Sequence, residues 1–464
     1  DQISQVVDQI QALIASGALP SGALLPSTRT LAQQLGLHRG TIAQAYQTLW
    51  ALGWLELRQG AQPRVRARGH LLSASPALAA PFDWASRLGG GVDGPVTLDP
   101  VPYPFADLGM DPRLIPLDAL SRCLRSALRR QGPDLLAYGD PQGFQPLRMA
   151  LARRMGQHGV TVRAEQVLVT QGAQQALDLV LRALAKPGDT VLVEDPTYDQ
   201  WLRLMSLHRL RPVAIPGPPG APDLEALDDV IRRERPVLLY TMPSFQNPTG
   251  RSLGPQVREG LLAVCGRHGL PILEDAFEEE MKYYGRPIPP LAALDRMGLV
   301  LYVGTFSKIL APGLRVGWIS GAKPAIQALT ALRRPMDLGP SPLLQAALED
   351  FLGAGHLDRH LARLHRAFRR RMDTALGLLR RTLDPEQVTW SAPDGGYLIW
   401  LERKAPKPHL ERALVRAGLS VRCGEGFFLD PSRGQTCLRL SLSHLDEAEI
   451  REGLGRLIPI LNAP

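Results

Sequence analysis

Apolar residues open the chain in a helical rhythm. Ile3, Val6, Val7, Ile10, Leu13 and Ile14 recur at steps of three and four, which predicts an amphipathic helix. Gly17 and Pro20 stop it. Ser27 then offers a side-chain oxygen to the first amides of a short helix over 28–35, which Gly36 ends. After the turn Leu37-His38-Arg39-Gly40, the spacing of Ile42, Ala45, Tyr46 and Leu49 predicts another helix over 41–52. Two short alternating runs, 55–58 and 64–66, read as strands around a turn that contains Gly60.

The rhythm then breaks. Residues 69–100 are dominated by small residues, Gly and Pro, the composition of a linker. From about 101 onward, apolar runs of buried-strand type at 167–169, 190–193, 237–240, 271–273, 299–303 and 316–319 alternate with helical stretches. That alternation predicts an α/β domain built on a mainly parallel sheet. A length of 464 residues allows about three folding units. No apolar run reaches the roughly 18 residues of a membrane span, and the first residues lack the basic and apolar regions of a secretory leader. Cys123, Cys265, Cys423 and Cys437 form no CxxC pair, so neither a metal site nor a disulfide framework is expected. Reduced thiols and a cytoplasmic setting follow.

Two short helices joined by a glycine-containing turn form a helix-turn-helix, whose second helix presents its first residues to a DNA major groove. Those residues here are His38, Arg39, Gly40 and Thr41, and the strand pair adds Arg58, Arg64, Arg66 and Arg68 as candidates for phosphate contacts. The net charge of +8 is compatible with nucleic acid without requiring it. From charge and periodicity alone, a three-helix packing module with a solvated arginine face stays open. The stretch GALPSGALLPSTRTLAQQLGLHRGTIAQAYQTLWALGWL, however, resembles the GntR-type winged helix nearly end to end. That resemblance implies Ser27, Arg29, Arg39 and Thr41 as contacts to double-stranded promoter DNA. The chain departs from the pattern at His38, where a Ser cap is usual, and in the wing, which reads RQGAQPRV.

Of 53 basic residues only six are lysine, so lysine chemistry has few candidates. Lys308 follows an apolar strand in YVGTFSK, with Thr305 and Ser307 beside it and Arg315 shortly after. Hydroxyls and a guanidinium fork so close together suit a phosphate. Asp275 ends another apolar strand, where a carboxylate is costly unless paired. A pyridinium would pair it, but so would a helix terminus or a salt bridge, and Glu274 is the neighbouring alternative. Gly172 and Ala173 open a helix over 174–184 whose amides can hold an anion. Asn247 lies in the turn NPTG, and Tyr198 is either a ring-stacking residue or a partly buried core tyrosine.

A lysine, a buried acid, phosphate donors and a polar side chain for a ring oxygen are the parts that pyridoxal 5'-phosphate needs. The stretches YGDPQGFQPLR, TQGAQQALDLV, EDPTY, QNPTG, EDAFEEEMKYYG, GTFSKILAPGLRVGW, DGGYLIWL and CLRLSLS together resemble fold-type I aminotransferases over about 103–460. The resemblance implies Lys308 as the Schiff-base lysine, Asp275 at the pyridine nitrogen, Asn247 at the ring oxygen and Tyr198 on the ring face. It further implies Gly172, Ala173, Ser307 and Arg315 around the phosphate, Tyr138 reaching the second subunit's phosphate, and Arg439 gripping an effector carboxylate. Phe277 stands where a Tyr is usual, which removes one hydrogen bond to the ring oxygen, whereas Asn247 is the residue found in enzymes.

The whole plan resembles the MocR family of bacterial regulators: a DNA-binding domain over 1–68, a linker over 69–100 and an aminotransferase-like domain over 101–464, with a smaller α+β subdomain at about 335–464. It implies a head-to-tail homodimer that senses pyridoxal 5'-phosphate, an amino compound, or both, and controls genes of vitamin B6 or amino-acid metabolism. The alternative is a working aminotransferase with an accessory DNA module.

Overall fold

The computed structural model describes residues 2–66, 83–87 and 101–462. Arg68 and most of the expected linker lie outside the described residues; within it only a short helix, Trp84–Arg87, is described. The chain divides into two units, Asp1–Thr97 and Leu98–Pro464.

The first unit holds α1 (Gln2–Ala15), α2 (Thr28–Leu35), α3 (Arg39–Ala51) and an antiparallel pair, β1 (Leu55–Glu56) with β2 (Arg64–Val65). Val6, Val7 and Ile10 of α1 bury against Ile42, Ala45, Tyr46 and Leu49 of α3, and Leu25, Leu55 and Val65 close the cluster. The Tyr46 hydroxyl donates to the Pro26 carbonyl at 2.8 Å, which ties the turn before α2 to that core. Ser27 caps α2 as expected, accepting from the Thr30 amide at 3.1 Å. Helix α3 begins at Arg39, two residues before the expected start at 41. Nδ1 of His38 accepts from the Gly40 amide at 3.1 Å, so the imidazole takes the place of the usual serine. The strands are shorter than expected and leave Arg58 and Arg66 outside them.

In the second unit β3 (Tyr103–Pro104) precedes a seven-stranded sheet. Its members are β4 (Val167–Thr170), β5 (Thr190–Val193), β6 (Arg211–Ala214), β7 (Leu238–Thr241), β8 (Ile272–Asp275), β9 (Val300–Thr305) and β10 (Gly317–Ser320). The order is β4-β10-β9-β8-β7-β5-β6, parallel except for β10, which runs against both neighbours. All of these strands but β6 are buried at every position, and they read as apolar runs because helices cover both faces. A second, antiparallel sheet holds β11 (Val388–Trp390), β12 (Leu398–Arg403), β14 (Arg422–Cys423) and β15 (Cys437–Ser441), in the order β11-β12-β15-β14. The two-residue strand β13 (Leu419–Ser420) pairs in parallel with β3. The long helices His356–Thr382 and Glu447–Asn462 pack together beside this sheet over one core with Phe105, Phe368, Tyr397 and Leu440. A buried ion pair between Arg371 and Asp111 fastens the segment after β3 to the first of them.

The polar residues of the large sheet gather where its parallel strands end. Asp275 closes β8 and Thr305 closes β9. In open α/β sheets ligands bind outside those carboxyl ends.

Candidate functional site

At the end of β9 the chain turns through Phe306, which is buried, and presents Ser307 and Lys308. Thr305 and Ser307 are joined twice: the Ser307 amide donates to Thr305 Oγ1 and the Thr305 hydroxyl donates to Ser307 Oγ, each at 3.1 Å. Arg315 brings Nη1 to 3.5 Å from Ser307 Oγ and anchors Nη2 on the Gln171 carbonyl at 3.2 Å. Across from it Gly172 has φ +85°, and a Cβ there would lie 2.8 Å from Arg315 Nη2. Only glycine meets both the backbone conformation and the space. The helix Ala173–Leu184 starts at this point, one residue before the expected 174, and no side chain caps it. Its first amides, the two hydroxyls and the guanidinium form an anion cradle.

Lys308 donates to the Leu108 carbonyl at 3.0 Å. Burial holds its pKa below the usual lysine range, and nearby Glu278 opposes that shift. Asp275 is buried; Oδ2 accepts from the Tyr240 hydroxyl at 3.0 Å, and Oδ1 has no hydrogen-bond partner among the described residues. Burial pushes its pKa up to about 6, against the pull of Tyr240, the Phe277 amide and Lys308. Tyr240 is itself fixed by stacking on Trp201, with centroids 4.2 Å apart. Lys308, Asp275, Asn247, Tyr198, Ala173, Ser307, Thr305, Arg315 and Phe277 line one cavity, completed by Leu108, Gln174, Met242 and Pro312.

Arg439 enters from β15, buried, with Nη1 donating to Asn247 Oδ1 at 3.1 Å and Nη2 to the Ala106 carbonyl at 2.9 Å. Its guanidinium lies 5.2 Å from the centre of the Phe427 ring. Its Nε has no partner among the described residues, and burial lowers its pKa to about 10. Tyr138 stands apart: it is 86% exposed and outside the cavity. Sequence reasoning missed Tyr240, the Leu108 carbonyl and Glu278. Tyr240 sits in an apolar run that reads as plain core, and a main-chain carbonyl carries no signal in the sequence.

In the first unit Arg29, His38, Arg39, Arg58, Arg64 and Arg66 are exposed, and Thr41 is half-buried. Arg58 leans on Glu56 at 3.9 Å across solvent, a contact too exposed to hold it. The Ser27 hydroxyl is occupied with capping, and its Oγ lies 2.8 Å from the Thr30 hydroxyl.

Residues 115–457 match the family model for aminotransferase class I and II. Residues 2–65 match that for the gntR family of bacterial regulatory proteins. The chain is 33% identical to the HTH-type transcriptional regulator YdcR of Escherichia coli (strain K12), over 91% of this chain and 91% of that one. It is 30% identical to the probable rhizopine catabolism regulatory protein MocR of Rhizobium meliloti, over 98% of this chain and 92% of that one. Among solved structures, LysN, the alpha-aminoadipate aminotransferase of Thermus thermophilus complexed with N-(5'-phosphopyridoxyl)-L-leucine, is similar with a TM-score of 0.72 and 34% identity, covering 77% of this chain and 91% of that one.

Proposed function

The chain belongs to the MocR-type regulators, in which a GntR-type helix-turn-helix module is joined to a domain of the aminotransferase class I and II family, and from that premise we propose that the second domain senses pyridoxal 5'-phosphate, an amino compound, or both, and so sets the first module's affinity for promoter DNA. The observation that carries the proposal is a cavity lined by Lys308, Asp275, Asn247, Ser307 and Arg315 in the same chain as a GntR-type module.

The residues fit the cofactor on three counts. Asp275 keeps one buried oxygen without a partner among the described residues, as an acid reserved for a ring N–H would. The absence of a Cβ at Gly172 lets the Arg315 guanidinium lie against the start of the helix Ala173–Leu184, since a Cβ there would come within 2.8 Å of Nη2. The hydroxyl, guanidinium and helix-terminus donors together match a phosphate dianion. When bound there, pyridoxal 5'-phosphate supplies an aldehyde that bonds amines reversibly and a ring that withdraws electrons.

The chain's own residues then divide the work. Ser307, Arg315 and the amides at Gly172 and Ala173 hold the phosphate. Asp275, braced by Tyr240, would keep the ring nitrogen protonated. Asn247 would serve the ring oxygen, Tyr198 would cover the ring face, and Lys308 would supply the amine. Arg439 exchanges its bonds to Asn247 and Ala106 for an effector carboxylate, which a planar fork receives on two points. In the first module Arg39 and Thr41 open the recognition helix, with Ser27, Arg29 and His38 nearby, and Arg58 and Arg64 flank it from the wing. The protein acts in the cytoplasm as a head-to-tail homodimer in which Tyr138 serves the second subunit's phosphate site, a reading supported by its exposure beside exposed Leu136. Its targets are genes of vitamin B6 or amino-acid metabolism. Among the described residues no helix is long and apolar enough to cross a membrane.

Fluorescence anisotropy with the DNA flanking its own gene tests this. Affinity for one paired half-site should change at least several-fold when pyridoxal 5'-phosphate, with or without an amino acid, is added to cofactor-free protein. The Lys308→Ala variant should lose both that response and the cofactor's visible absorbance. Equal affinity in all three states rules sensing out. The intact set of cavity residues also permits an active aminotransferase, which steady turnover of a 2-oxo acid would establish.

A further inference from the structure

The turn that carries Asn247 is joined to the segment that carries Tyr198 by a side chain that the roles above leave unused. Gln246 is buried, and both ends of its amide are spent. Nε2 donates to the Pro196 carbonyl at 2.7 Å. Oε1 accepts from the Thr249 amide at 3.1 Å and from the Thr249 hydroxyl. Its main chain is committed as well: the amide donates to the Arg251 carbonyl at 2.8 Å, and the carbonyl accepts from the Gly250 amide at 2.6 Å. Gln246 is thus part of the turn's frame, and its side chain reaches out of the turn to the residue two before Tyr198.

That bond closes a ring of contacts around Arg439. Arg439 Nη1 donates to Asn247, which follows Gln246 in the chain. Gln246 holds Pro196, the Thr197 amide donates to the Phe427 carbonyl at 2.8 Å, and the Phe427 ring lies against the Arg439 guanidinium. Every residue of this ring is buried. Just beyond it Tyr198 precedes the helix Asp199–Leu207, and Asp199 is ion-paired at 2.8 Å to Arg422, the residue opposite Arg439 between β14 and β15. A close-packed interior passes a displacement on to its neighbours. A carboxylate that draws the Arg439 fork away from Asn247 therefore acts on a turn that has hold of the Tyr198 segment.

We propose that Gln246 is a positioning residue that ties Arg439 to Tyr198, so that occupation of the carboxylate site is transmitted to the cofactor's ring face. Gln246 does not line the cavity and acts through Asn247 on one side and Pro196 on the other. A glutamine of purely structural use would fasten the turn and leave the two positions independent. The proposal rests on the assignment of Arg439 to an effector carboxylate, and not on the DNA reading.

The test uses the full chain and maleate, a dicarboxylate that has no amine and so can occupy Arg439 without reacting at Lys308. In cofactor-free wild type, bound maleate should change amide hydrogen exchange in the peptide covering 195–201, read by mass spectrometry. In cofactor-loaded wild type it should change the cofactor's visible circular dichroism. Gln246→Met keeps the length of the side chain and removes the donor to Pro196. Calorimetry should show that this variant still binds maleate, while most of both changes is lost. Gln246→Asn, polar but one methylene too short to span Thr249 and Pro196, should lose them too, and serves alone if the Met variant does not fold. A variant that binds maleate with both changes intact overturns the proposal. So does wild type in which bound maleate alters neither signal, a result that needs no variant. Arg439→Ala should abolish maleate binding; binding that survives there sinks the carboxylate assignment whatever Gln246 does, so the two failures are distinguishable.

Discussion

At the scale of single residues the site depends on acids and bases that burial has pushed out of their ordinary ranges, each restrained by its neighbours. Asp275 is the clearest case. Burial raises it to about 6, and the Tyr240 hydroxyl is the first of the groups that hold it down. Hydrogen bonds to charged groups contribute roughly 1.5–3 kcal/mol. Removing the donor in Tyr240→Phe takes that bond from Asp275 Oδ2, and the ring still stacks on Trp201. Cofactor affinity, read by titration of tryptophan fluorescence, should weaken about tenfold near neutral pH and recover part of the loss above about pH 8, where Asp275 ionises regardless. Unchanged affinity would show that Asp275 does not meet the cofactor as an anion. Lys308 and Arg439 move the opposite way for the same reason, because burial disfavours the charged form of a base.

At the scale of elements, the end of β8 and the turn after it gather acids that a core seldom accepts. Burial raises Glu274 and Glu278 to about 8 and Glu279 to about 7. Glu280, half-buried, is instead held low by His158 and Arg154. A raised carboxyl binds its proton more tightly in the folded chain than in the unfolded one. Its contribution is therefore complete below about pH 4 and is lost as pH rises through the folded values of about 6 to 8. A tenfold difference in proton affinity between the two states is worth about 1.4 kcal/mol, and about 1 kcal/mol moves Tm by roughly 2–4 °C in large domains. Cofactor-free protein should thus melt about 5 °C or more lower at about pH 8.5 than at about pH 5.5, by circular dichroism; a flat or rising Tm over that range contradicts it. The same segment shows what the chain's letters reveal. Asp275 is legible because an acid that closes an apolar run demands a partner, and β5 is read to the residue because Thr190–Val193 is apolar, β-branched and bounded by turns. The edge strand β6 is not legible: its Arg211 and Pro212 suit an edge and give no buried pattern. The start of α3 is misread because an imidazole is an uncommon cap. Glu278 escapes notice because a run of three glutamates looks like a solvated face, and only the opposing glycines of DGGY reveal the space that buries it.

At the scale of the whole molecule, a DNA module and a cofactor domain on one chain are regulator and sensor only if their equilibria are linked. Linkage is reciprocal: an effector that changes DNA affinity by some factor must have its own affinity changed by DNA by the same factor. A catalytic domain that merely shares the chain with a DNA module has no such obligation. The two readings of this protein therefore differ in a quantity that does not depend on knowing the operator's mechanism. The probe is an amino acid titrated into cofactor-loaded protein, followed by the cofactor's visible absorbance, with and without saturating operator DNA. The ratio of the two dissociation constants should equal the ratio of DNA affinities measured with and without that amino acid, and lie within the range of roughly 5–150-fold usual for coupled sites. Arg39→Ala should lower DNA affinity on every sequence and leave the amino acid's affinity in the absence of DNA as it was, because Arg39 is exposed at the start of α3 and belongs to the unit that does not hold the cavity. A ratio of one, with binding otherwise intact, would leave an enzyme-like domain and a DNA module as independent passengers on the same chain.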